Sequence, residues 1–178
     1  MMPRKKLKQM VIYDVRMDED SNAFVLILVD VESKIFLPIW IGHFEATSIL
    51  MELQDVKPPR PFTHDLLKNT IKALGGKPEQ VVITEIKDRT FYASIDIKQE
   101  DNIIRLDARP SDAIALAVRT RIPIFADQQV LEEAGIYLEN IVDEKKQDQP
   151  ELFDSELNRK IEEFRKFLEK VKPEDFQS

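Results

Sequence analysis

LDARPSDAIALAVRTRIPIFAD, running from Leu106 to Asp127, holds a strand end, a complete helix and a second strand in one uninterrupted stretch. The segment IIRLD delivers Asp107 at the end of an extended run. Pro110 suits the first position of a helix, because the N–H it lacks has no intrahelical partner there. Asp112 falls in the first turn, where a carboxylate complements the positive end of the helix dipole. In SDAIALAVRT, Ala113, Ala115 and Ala117 alternate with Ile114, Leu116 and Val118, and the small side chains let a helix approach a sheet closely. PIFAD reads as a short strand. Two aspartates and Arg109 just ahead of the apolar run pose the question of whether this corner is an active site or only a well-formed helix entrance.

Upstream, VVITEI, the turn KDRT and FYASIDIK form a hairpin in which Phe91, Ala93, Ile95 and Ile97 alternate with Tyr92, Ser94 and Asp96. Before it, Thr63 is expected to cap a helix with Leu67, Ile71 and Leu74 facing inward and a Gly75-Gly76 stop. KPPRPF cannot be helical. It separates that helix from FEATSILMELQDV, which follows Gly42 and shows Ala46, Ile49, Leu50 and Leu53 at helical spacing. IFLPIWI is a strand whose Pro38 calls for an edge or a bulge, since proline cannot donate to a ladder. AFVLILVDV, apolar on both faces, reads as a central strand, and Met10 to Met17 alternates as a half-buried one. There is no internal repeat.

Downstream, Gln128 to Ala134 fits one or two helical turns. Residues 139–150 form a polar linker, and over 151–172 Leu157, Ile161, Phe164, Leu168 and Val171 recur at spacings of 4, 3, 4 and 3. That narrow stripe on a charged helix is expected to dock on its own domain or on a second subunit.

With 178 residues, 43% of them hydrophobic and 33% charged, the composition is that of one globular domain with an appended element. A net charge of -7 argues against a broad basic surface that coats nucleic acid, so any such contact is local. Arg4, Lys5, Lys6 and Lys8 form the one basic arm. Without cysteine there is no disulfide, thiolate metal site or Cys nucleophile. No signal-peptide pattern follows the basic start, and Ala23 to Val29 is too short to span a bilayer. The expected location is the cytoplasm, with no membrane partner. Four glycines leave little room for a nucleotide-binding loop, and neither an HExxH motif nor a Ser-His-Asp order stands out.

LPIWIGHFEA (Leu37 to Ala46), RPFTHDLL (Arg60 to Leu67) and the opening stretch together resemble the bifunctional nuclease family, small bacterial and plant domains described as having DNase and RNase activity. Their order and spacing fit from about Lys8 to about Gly135. The resemblance implies an α+β fold over residues 1–138, a strongly curved mixed β-sheet or partial barrel packed on helices; the C-terminal amphipathic helix read from its own apolar stripe is appended to it. It also implies a homo-oligomer, a dimer or higher, and a nuclease acting on DNA or RNA.

Metal-assisted phosphodiester hydrolysis needs carboxylates for Mg²⁺ or Mn²⁺, a base, and a cation for the phosphoryl oxyanion. His64 and Asp65 in one motif, with Asp107, Arg109 and Asp112 in the other, supply all three, and both motifs open helices whose N–H groups favour phosphate. The expected roles are Asp107 and Asp112 on metal, Arg60 and Arg109 on phosphate, and His64 as base or acid beside Asp65. Each has a plainer reading. Asp112 serves the helix dipole, as does Glu45 in its own first turn, Asp107 and Arg109 form an ion pair at the corner, Arg60 meets an acidic group, and His64 hydrogen-bonds a loop. Adjacent residues on a helix diverge by about 100°, so His64 and Asp65 cannot share one metal unaided. The rival function is a non-catalytic oligomeric module, structural or regulatory.

Overall fold

A computed structural model describes residues 6–18 and 23–137. In chain order these form β1 (Leu7–Asp18), β2 (Ala23–Asp30), β3 (Ile35–Ile41), α1 (His43–Leu53), α2 (Thr63–Ala73), β4 (Gly76–Lys87), β5 (Thr90–Gln99), β6 (Asn102–Ala108), α3 (Pro110–Thr120), β7 (Ile124–Asp127), α4 (Gln128–Ala134) and β8 (Ile136–Tyr137). The fold is α+β. Its eight strands make one open, mixed sheet in the order β6-β5-β4-β7-β1-β2-β3-β8. The linker and C-terminal helix expected over 139–172 lie outside the described residues, as do Arg4 and Lys5 of the basic arm.

Strand β7 joins the two halves of this sheet. It pairs parallel to β4, with Val81 opposite Ile124 and Ile83 opposite Ala126, and antiparallel to β1, with Met10 opposite Ile124. On either side lie the antiparallel sets β1-β2-β3 and β4-β5-β6. The chain therefore leaves the sheet at its β6 edge, crosses it as α3, and re-enters at its centre. A parallel neighbour cannot be reached by a tight turn, so a crossover is obligatory, and α3 provides it.

Helix α3 has eight of its eleven residues buried, including all three alanines. It lies against β4 and β5 on one side and α1 and α2 on the other, which leaves room only for small or well-fitted side chains. Leu26, Leu28, Leu37, Ile83 and Ile95 from the sheet meet Ile49, Ile71, Ile114 and Leu116 from the helices in one core. Strand β2 is apolar on both faces because both are buried. On the sheet face away from α3 the buried Asp96 is held by Arg105 and Gln80 at 2.6–2.8 Å, and the hydrogen bond from Arg105 keeps its carboxyl below the usual range against the opposing cost of burial.

Several local expectations change. Pro38 pairs with Ile27 in an unbroken register, so there is no bulge; its strand is instead flanked on the other side by β8, only two residues long. Asp107 is not the last residue of β6, which continues to Ala108. Thr63 is the first residue of α2 rather than its cap, and the Asp65 side chain accepts from the Phe62 N–H at 2.9 Å in its place. Of the leucines of the two outer helices expected to face inward, Leu50 packs partly buried against the core, Leu67 sits at the boundary, and Leu53 and Leu74 are 50% and 70% exposed. These helices bury a narrow face on α3, occupied by Ala46, Ser48 and Ile49 from α1 and by His64 and Ile71 from α2. The KDRT turn places Asp88 and Arg89 both at positive φ, 50° and 62°, the geometry that matches the twist of a two-residue hairpin. Gly75 takes φ 77° just after α2, where a Cβ would be strained.

The tight seat of α3 yields a direct expectation. Ala115→Leu adds bulk at a fully buried position and should destabilise the fold by about 1–3 kcal/mol, seen as a lower urea midpoint at unchanged slope. An unchanged midpoint would contradict the packing described.

Candidate active site

The N-termini of α1, α2 and α3 open onto a single cleft of about 590 Å³. From α1 it takes Phe44, Glu45, Thr47, Ser48 and Met51, from the turn into α2 it takes Pro61 to His64, and from the start of α3 it takes Arg109 and Asp112. The first N–H groups of a helix have no intrahelical acceptor, and the dipole is positive at that end. Each entrance here carries a first-turn carboxylate: Glu45, Asp65 and Asp112.

His64 is buried at the centre of a hydrogen-bonded string. Its Nδ1 lies 2.9 Å from Ser48 Oγ and its Nε2 lies 3.1 Å from Asp112 Oδ1. Arg109 then reaches across, donating to both Asp112 oxygens at 2.6 and 3.1 Å and to Glu45 Oε1 at 2.8 Å. Burial raises the Asp112 carboxyl, but the hydrogen bonds from Arg109 and His64 and the guanidinium charge outweigh it, and its pKa lies below the usual carboxylate range. An ionised carboxylate can only accept. In the neutral imidazole of His64, Nε2 therefore carries the proton, and Nδ1 presents its lone pair to the Ser48 hydroxyl.

A second group fixes this string from behind. Arg119, buried on α3, donates from Nε to Asp65 Oδ1 at 2.8 Å, from Nη1 to the Ala115 carbonyl at 2.9 Å and from Nη2 to the Ser48 carbonyl at 3.1 Å. It ties the turn carrying His64 to the turn carrying Ser48. Gly42 makes room for Glu45, whose carboxylate folds back to where a Cβ at position 42 would stand.

The structure thus brings together His64, Arg109 and Asp112 of the expected residues and adds Glu45, Ser48 and Arg119. Asp65 points away from His64 to Arg119, as the divergence of adjacent helical residues requires. The expected Asp107–Arg109 pair is not formed: Arg109 turns to Asp112 and Glu45, while Asp107 is exposed on edge strand β6 opposite Ser94 and does not line the cleft. Arg60 is exposed next to Pro61 at the rim, with no side-chain hydrogen bond or ion pair among the described residues. The absence of a Ser-His-Asp order is also overturned, since Ser48, His64 and Asp112 are consecutive members of one string.

Among the described residues no three His, Cys, Asp or Glu side chains are grouped to hold a metal ion. A divalent cation between Glu45 and Asp112 would have to displace the guanidinium that already bridges them.

A family model described as the bifunctional nuclease domain matches residues 26–139, which span every residue of the cleft. An uncharacterized protein of Mycobacterium tuberculosis is 37% identical over 167 residues, covering 94% of this chain and 96% of its own length. Bifunctional nuclease 1 of Oryza sativa subsp. japonica is 30% identical over 118 residues, 65% of this chain and 35% of the rice protein. Bifunctional nuclease 1 of Arabidopsis thaliana is 25% identical over 105 residues, 57% of this chain and 32% of that protein. This chain spans about a third of the length of these plant relatives.

The Asp65–Arg119 tie has a pH signature. For Asp65, burial raises the carboxyl, but the Phe62 N–H, Arg119 and Lys68 outweigh it and set the pKa below 3.8. A depressed native pKa stabilises the fold above the unfolded value, and that contribution is lost as pH falls through the native one. The melting temperature should therefore fall as pH drops below about 4, and Asp65→Asn, less stable at pH 7, should show a shallower fall. Parallel curves for the two proteins would place the dependence elsewhere.

Proposed function

The chain belongs to the bifunctional nuclease domain family, and from that premise we propose that it is a nuclease, hydrolysing phosphodiester bonds of DNA or RNA in the cleft where the three helices begin. The observation that carries this reading is the convergence on one cleft of helix N-termini, which favour phosphate, with a histidine whose tautomer an aspartate fixes and an arginine at the mouth.

Arg109 is 67% exposed, and its Nη1 makes no hydrogen bond among the described residues, so it can meet a phosphoryl oxygen while Nε and Nη2 stay on Asp112 and Glu45. Such an oxyanion contact acts mainly on the transition state. Arg60 at the rim is the second phosphate contact. His64 moves the proton: Nδ1 accepts it from the attacking hydroxyl and returns it to the leaving oxygen, while Asp112 stabilises the imidazolium formed in between.

Mg²⁺ or Mn²⁺ remains a proposal with a poor fit, because Arg109 occupies the oxygens of Glu45 and Asp112 that would bind it. When bound, such an ion would supply charge to the phosphoryl oxygens. Asp107, on the exposed edge strand, has no part in this scheme. Localisation in the cytoplasm and assembly as a dimer or higher oligomer complete the proposal. Among the described residues no helix is long and apolar enough to cross a membrane, and exposed Trp40, Phe44 and Leu66 give self-association apolar surface. A second reading, a non-catalytic structural or regulatory module, is favoured by the internal satisfaction of Asp65 and Asp112.

Nuclease assays on DNA and RNA with Mg²⁺, with Mn²⁺ and with EDTA test the proposal. His64→Gln should lower cleavage by about 10²–10⁴-fold, and Arg109→Ala by a comparable factor, measured at a temperature where circular dichroism shows both variants folded. Wild-type rates in His64→Gln would mean a contaminating activity and favour the non-catalytic module.

A further inference from the structure

We propose that Ser48 is the nucleophile of this cleft and becomes covalently phosphorylated during turnover; the proposal rests on the nuclease reading above and goes beyond it. A serine inside a helix turns its hydroxyl back to the carbonyl four residues earlier or points it to solvent. Neighbouring side chains do so: Thr47 Oγ1 donates to the His43 carbonyl at 2.9 Å and Thr120 Oγ1 to the Leu116 carbonyl at 2.7 Å. Ser48 does not. Its Oγ goes to His64 Nδ1 at 2.9 Å, and His64 in turn is held by Asp112 at 3.1 Å. A hydroxyl next to a base that a third group orients is the arrangement that activates a serine.

Position supports the assignment. Ser48 is buried yet forms part of the cleft wall, alongside Arg109 and the start of α2. Arg119 grips the Ser48 carbonyl and, through Asp65, the turn bearing His64, so the distance between nucleophile and base is set by a buried cation rather than by two free side chains.

The chemistry balances in two displacements. In the first, the Ser48 hydroxyl proton moves to His64 Nδ1 as Oγ bonds to phosphorus. The bond from phosphorus to one ester oxygen breaks, and that oxygen leaves as an alcohol with the proton from His64. In the second, water gives its proton to His64 and bonds to phosphorus. The Oγ–phosphorus bond breaks, and Ser48 recovers its proton, so a diester and water become a monoester and an alcohol.

The test is labelling of the full-length protein with an alkyl fluorophosphonate, in which the Oγ–phosphorus bond forms and fluoride leaves, followed by intact mass and peptide mapping. The expected result is one adduct, on Ser48, formed at least about 100-fold more slowly in His64→Gln and not at all at that position in Ser48→Ala. Ser48→Ala should also lose cleavage of DNA or RNA by about 100-fold or more. Absence of a Ser48 adduct on the wild-type protein would overturn the assignment, and needs no variant to fold. Cleavage retained in Ser48→Ala but lost in His64→Gln removes the nucleophile and leaves the nuclease reading standing. A Ser48 adduct on a protein without cleavage activity does the reverse.

Discussion

Burial of α3 between a sheet and two helices is the constraint from which the rest of the architecture follows. Its alanines allow contact on opposite sides, and its length carries the chain from the β6 edge to the slot between β4 and β1. Without that crossover β7 would have no route to its parallel neighbour, and the two antiparallel sets would have no shared strand. The same seating fixes where α3 begins. Pro110 starts the helix at the point where α1 and α2 also begin, so the packing that completes the sheet also assembles the cleft.

Charge in the cleft is arranged around that packing. Three first-turn carboxylates would repel one another in a partly buried space, and two arginines from α3 and its entrance separate them. Arg119 is buried and structural, donating to a carboxylate and two carbonyls, so little of its hydrogen-bonding capacity is left for a ligand. Arg109 is exposed and keeps one nitrogen free among the described residues. The division explains how a chain of net charge -7 can still offer an anion a local welcome.

Much of this was legible in the sequence, for physical reasons that can be named. Strand alternation, Pro110 at a first helical position and the alanine pattern are local signals, and the structure follows them. Ala46, Ile49 and Ile71 are buried as their spacing implies and Leu50 packs on the core, but Leu53 and Leu74 are exposed, because an apolar stripe shows where a helix is apolar, not how far its partner covers it; the buried side also takes in Ser48 and His64. His64 and Asp112 were legible as helix-entrance residues. Their contact was not, because nothing in a single chain links positions 48 apart. Ser48 was missed since a mid-helix serine looks like any solvated position, and Asp107 was overvalued because its nearness to Arg109 in sequence was mistaken for nearness in space.

The central claim is that Asp112 fixes His64 with its proton on Nε2, leaving Nδ1 free to serve Ser48. Nitrogen-15 NMR of the imidazole in the full-length protein reads this directly. For the neutral imidazole the account predicts one long-lived tautomer, protonated on Nε2, that becomes mixed or reversed in Asp112→Asn. A His64 protonated on Nδ1, or one averaging freely between tautomers in the wild-type protein, would contradict it.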